Sequence, residues 1–133
     1  MSIRAGIYNA IKEDPTLLAI LNDGDGGVNV YPHKIGEELL KQFNNFITYE
    51  EINKRIDYFC NYSICIFQLN AISKNYDDSQ VLASAITDLF NGFRGNLGGK
   101  QMVSRTIQIG QFELYDKETD FYISPIEIKF IIK

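Results

Sequence analysis

The stretch YFCNYSICIFQLNAI, Tyr58 to Ile72, followed by an amphipathic run ending at Phe93, decides how the rest of the chain is read. Its first part is dense in aromatic and β-branched residues and has no Pro or Gly, the composition of a half-buried strand. The period then changes. Val81, Leu82, Ala85, Ile86, Leu89, Phe90 and Phe93 recur at helical spacing, with Gln80, Ser84, Thr87, Asp88 and Asn91 on the other side, so one stripe of a helix over Asp78 to Phe93 faces a core. Asp77 with Gln80 three residues on reads as a capping box, and Gly92 and Gly95 end the helix.

Working outward, Ile3, Ile7, Ala10 and Ile11 have helical spacing, and Asp14-Pro15 resets the chain as an N-cap and first helical position before Leu17, Leu18, Ile20 and Leu21. A bent N-terminal helical unit is expected, ending in the polar, Gly-rich run 22–27. Val28 to Tyr31 reads as a short strand stopped by Pro32. Residues 33–45 read as an insertion with one or two helical turns around Glu37 to Phe43. Phe46 to Tyr49 is strand-like and should pair antiparallel with the 58–72 strand through a polar connection at Asn53 to Asp57.

Beyond the helix, Arg94 to Lys100 is a Gly-rich loop, and two strands joined by a polar turn at Asp116 to Asp120 follow. In the first the apolar positions are odd at Val103, Ile107 and Ile109 but even at Phe112 and Leu114. The phase slips at Gly110. In the second they are odd at Phe121 and Ile123 and even at Ile126, Ile128, Phe130 and Ile132, slipping at Pro125. Slips at one level of both strands predict a bulge or bend in the hairpin.

These elements give an α+β fold. An antiparallel or mixed sheet of about four to five strands packs against one main amphipathic helix, with the N-terminal helical unit and the bent C-terminal hairpin. At 133 residues the chain is expected to be one domain, 1–133. A net charge of −4 argues against a protein that grips nucleic acid through its general field. Cys60 and Cys65 lie five apart on one strand, so they point to opposite faces and read as packing thiols of a reducing compartment. No window reaches the ~18 apolar residues of a membrane span.

Chemistry finds little to build on. Asp23-Gly-Asp25 lacks the later ligands of a calcium loop, and Gly98-Gly99-Lys100 opens a strand where a phosphate loop opens a helix. His33 is the one histidine, with no nucleophile in a recognised context. Glu50 and Glu51 are adjacent on a strand and face opposite ways. No cofactor or metal is expected, and no enzymatic activity. Surplus apolar strand surface points instead to assembly. Ile131 sits on the polar face of the last strand between Lys129 and Lys133, and Leu39, Leu40 and Phe43 add apolar surface in the insertion.

The order of elements resembles the tail completion, or tail terminator, proteins of bacteriophages and prophages. The matching residues are Asp14-Pro15-Thr16-Leu17 with the Gly/Asp loop after it, Val30-Tyr31-Pro32, the strand Phe46 to Tyr49, the long strand with its helix, and the turn Tyr115-Asp116-Lys117-Glu118-Thr119-Asp120-Phe121-Tyr122. Residues 33–45 depart from it, standing where such proteins carry a brief Pro-rich link. The resemblance implies a structural, hexameric ring at the head-proximal end of a virion tail, which stops tube growth and joins tail to head. It implies as partners other copies of the chain, a tail tube protein and a head connector protein, with DNA passing the lumen without specific binding and no membrane. Assembly would take place in the bacterial cytoplasm. Arg94 and Lys100 are implied as lumen or tail-tube contacts. The reading from another class is a small monomeric or dimeric binding or regulatory module.

Overall fold

The structure, a computed structural model, describes residues 3–21, 29–32, 35, 42–57 and 62–132, with 53–57 and 62 as backbone. Two helices, α1 (Ile3–Glu13) and α2 (Pro15–Leu21), lead into strands β1 (Val30–Pro32), β2 (Asn45–Asp57) and β3 (Tyr62–Ser73). Helix α3 (Tyr76–Phe90) follows, and then β4 (Gly95–Leu97), β5 (Gln101–Val103), β6 (Arg105–Gln111), β7 (Leu114–Asp116) and β8 (Phe121–Ile132). The fold is α+β as expected, with six strands in the main sheet and β4–β5 forming a separate two-stranded ribbon. The order is β1-β2-β3-β8-β6, with β7 continuing β6 along β8. β1 pairs parallel to β2, and the other pairs are antiparallel.

α3 lies across one face of the sheet and buries Leu82, Ala83, Ala85, Ile86 and Phe90 against Phe67, Leu69, Ile128 and Phe130. Each of the large side chains contributes about 1.5–3 kcal/mol by leaving water. Phe90, Phe130 and Phe67 stack edge to face with ring centres 5.9 and 6.0 Å apart, the geometry that aromatic quadrupoles prefer. The helix starts one residue pair earlier than its capping pattern suggested. Asn75 is the N-cap, its side chain accepting from the amides of Asp77 at 2.8 Å and Asp78 at 3.4 Å, so Asp77 lies in the first turn, where its charge faces the positive end of the dipole. Val81, expected in the core stripe, is 55% exposed. Ala83 and Ser79 are buried instead, which shows the stripe rotated toward the β3–β8 centre of the sheet.

The N-terminal unit forms as expected. Asp14 accepts from the Leu17 amide at 3.2 Å, capping α2, and Ile7, Ile11, Leu17 and Leu21 are fully buried. α1 also receives the β4–β5 ribbon, which takes in the run 94–100 expected as a Gly-rich loop. Gly98 has φ +55, and a Cβ there would run into the Gly6 carbonyl oxygen, so only glycine lets the ribbon lie this close. The Asn9 amide donates to the Gly98 carbonyl at 3.1 Å.

β2 and β3 pair from Asn45–Ser73 to Asp57–Tyr62, with a bulge between Glu51 and Asn53. Asn53 to Asp57, expected as the connection, are therefore strand. Residues 58–61 of the expected strand lie outside the described residues, as does Val28. The apolar slips on β6 and β8 have two different causes. β6 has a register shift between Gln108 and Gly110, the expected bulge. β8 runs unbroken along β3 from Ser73–Tyr122 to Ser63–Ile132. Its face change arises because the sheet is covered on opposite sides at its two ends. Ile126, Ile128 and Phe130 meet α3, whereas Phe121 turns the other way onto Phe46, 6.0 Å between ring centres, which in turn meets Phe43 and Tyr31. Pro125 fits in the middle of the sheet because its backbone faces the gap between β6 and β7, where its carbonyl accepts from Phe112 at 3.0 Å. In an antiparallel strand a residue's N–H and C=O point to the same neighbour, so the missing donor costs no ladder bond to β3.

Candidate assembly surface

Of the residues singled out from sequence, the structure brings Arg94 and Ile131 together. Arg94 leaves α3 just after Gly92, whose φ of +84 turns the chain, and the Gly92 amide donates to the Thr106 carbonyl at 2.8 Å, tying this loop to β6. Ile131 pairs with Arg105 on β6 and points to the face away from α3, as expected from its place between lysines. Gly92, Arg94, Ser104, Arg105 and Ile131 line a hollow of about 480 Å³. A second of about 520 Å³ adjoins it and adds Met102, which is 59% exposed. No carboxylate is among the described residues lining either one. Arg105 is the residue that sequence reading missed here. Its signal was the register: once β6 pairs with β8, Arg105 must stand beside Ile131.

Lys100 is not part of this hollow. It sits exposed at the tip of the β4–β5 ribbon, and Arg94 at the ribbon's base. Phe43 is half-buried against Phe46 with centres 6.4 Å apart, on the face away from α3. Leu39, Leu40 and His33 lie outside the described residues. Glu50 and Glu51 do point to opposite faces, and Glu51 meets Arg4 of α1 at 3.9 Å while the Arg4 guanidinium lies 5.5 Å from the Phe67 ring.

The opposite end of β8 carries the other exposed surface. Phe112, Leu114, Tyr115 and Tyr76 are 56, 57, 48 and 44% exposed, respectively. Tyr122 stacks with Tyr76 at 5.6 Å and with Tyr115 at 4.9 Å, so aromatic rings from α3, β7 and β8 form one ridge. Carboxylates hold that ridge. The Tyr76 hydroxyl donates to Glu113 at 3.0 Å and the Tyr115 hydroxyl to Asp120 at 2.6 Å. Each bond stabilises the protonated phenol and raises the tyrosine above its ordinary value. Asp116 accepts from the Glu118 amide at 3.0 Å, and Asp120 takes φ 60 to close the turn.

A third hollow, about 330 Å³, lies on the face away from α3 between the Phe121–Pro125 segment and Thr48, Asn70 and Leu114. Of its polar groups, Gln68 donates to Asn70 at 3.0 Å and Asn70 to Thr48 at 2.9 Å. Among the described residues no group of three or more His, Cys, Asp or Glu is placed to hold a metal ion, and no helix is long and apolar enough to cross a membrane.

This arrangement of helices and sheet is one already seen in an assembled particle. It is similar to a chain in the solved structure of the virion of a native gene transfer agent particle, with a TM-score of 0.71 over 98% of this chain and 94% of that one, at 13% identity. At that identity the likeness is one of fold. No family model matches the sequence, and no curated protein does.

Proposed function

We propose that this chain is a structural component of a phage-like virion, and more narrowly a tail terminator. It acts as one domain, forms a ring, six-membered by its resemblance to tail completion proteins, at the head-proximal end of the tail tube, stops the tube from growing and joins it to the head connector. The observation that carries this reading is the shared fold with a virion chain over nearly the full length of both, which leaves no large part of either unaccounted for. A second support comes from the residues behind the resemblance, because each has a structural task. Asp14 caps α2, Val30-Tyr31-Pro32 forms the parallel edge strand β1, and Tyr115, Asp120 and Tyr122 interlock the terminal turn.

The charge balance suits the task. DNA crosses the lumen of such a ring, and a subunit of net charge −4 repels it, so passage needs no specific grip. The exposed cations Arg94 and Lys100 are left to contact neighbouring protein components. Deleting the gene and imaging the particles tests the reading: tails of uncontrolled length, detached from filled heads, are the expected result. Normal virions from the deletion would end it.

A further inference from the structure

We propose that copies of this chain join head to tail, the acidic end around α3's first turn and the β7–β8 turn of one copy docking on the Arg94–Arg105 end of the next. The proposal rests on the reading of the chain as a self-assembling virion component and gives that assembly its interface.

The two ends lie along β8. Phe121 pairs with Asp116 at one end and Ile131 with Arg105 at the other, ten residues apart or about 33 Å of strand. α3 runs between them, starting against Tyr122 and ending beside Thr106. At the first end the helix supplies Asp77 and Asp78, and the chain from Glu113 to Asp120 supplies four more carboxylates, against the two cations Lys117 and Lys74, the latter 5.5 Å from the Phe121 ring. At the other stand Arg94 and Arg105, neither with an ion-pair partner among the described residues, around a hollow with no acid in its described lining.

Each end also exposes apolar surface inside its ring of charge. Tyr76 and Tyr115 do so at the acidic end and Met102 at the basic end. An apolar centre with a charged rim of one sign is half of a protein interface, and the matching half has the opposite rim. Here both halves belong to one chain. Contact between two like ends sets like charges together, which disfavours a two-fold dimer through either. Acidic end to basic end is a heterologous contact, the kind that closes into a ring when its rotation allows.

The experiment compares the full-length chain with two variants, R94E/R105E and D77K/D78K/E118K, all substitutions at exposed positions, by light scattering and cross-linking, alone and with tail tubes isolated from particles lacking the protein. Melting curves check that all are folded. Each variant by itself is expected to lose at least tenfold in multimer formation. Mixed in equal amounts they are expected to regain it, because one variant then has two acidic ends and the other two basic ends, and alternation satisfies both contacts in a ring of even number. Variants that multimerise like the unaltered chain, or a mixture no better than its parts, overturn this interface while leaving self-assembly in place. An unaltered chain that stays monomeric in solution and on tubes removes the proposed function and the interface together.

Discussion

Thr106 is buried and Tyr76 exposed, and each carries a polar group whose surroundings have a measurable consequence. Thr106 is 1% exposed, and its buried hydroxyl has no hydrogen-bond partner among the described residues. Taking such a group out of water without a partner costs about 1–3 kcal/mol. Thr106→Val removes it at nearly the same volume, so the substitution is expected to raise stability by about 1 kcal/mol, measured by urea denaturation. Tyr76 reports on the acidic end. Its bond to Glu113 raises its pKa above the ordinary 10.0, so the contact helps the folded state at pH values below 10 and that help is lost as pH climbs through the raised folded value. Glu113→Gln removes the charge and is expected to bring the Tyr76 titration back toward the ordinary value, followed through the ring carbon that bears the hydroxyl by NMR, while Tyr115, held by Asp120, keeps its own raised value.

At the scale of elements, α3 depends on its cap. Asn75 satisfies two amides that the helix leaves open, and Asn75→Ala is expected to cost about 1 kcal/mol, whereas Asp77→Ala, which loses only a favourable charge at the dipole, costs about 0.5 kcal/mol; thermal melts of the two variants separate these values. The capping-box spacing pointed to Asp77, because nothing local states that Asn75 has the extended backbone an N-cap needs. The amphipathic stripe was legible for the opposite reason, since burial against a sheet selects apolar residues at 3.6-residue intervals whatever the sheet's strand order. Val81 fell outside it because the tilt of the stripe is set by which strands lie beneath. The slips at Gly110 and Pro125 were visible as parity changes, yet parity alone cannot separate a bulge from a sheet buried on opposite faces at its two ends. β6 is the first case and β8 the second.

For the molecule as a whole, the least legible feature was the sheet order. β8, last in the chain, lies in the middle between β3 and β6, a pairing that no local pattern encodes. That order is what sets Arg105 beside Ile131 and puts cations at one end of β8 and carboxylates at the other, so the surface proposed for assembly was hidden in the sequence although every residue of it was in view. Attraction between ends of opposite sign makes a further prediction about rates. Charges at exposed rims steer association, and raising ionic strength shortens the screening distance from about 10 Å at 0.1 M to about 3 Å at 1 M. Association of the chain, followed by stopped-flow light scattering, is therefore expected to slow by at least tenfold over that range, while dissociation, governed by the buried apolar centre of Tyr76, Tyr115 and Met102, changes little. An assembly driven by apolar contact alone gives the opposite result, with association held or strengthened by salt. The salt series thus separates a charge-guided head-to-tail contact from simple cohesion of exposed hydrophobic surface.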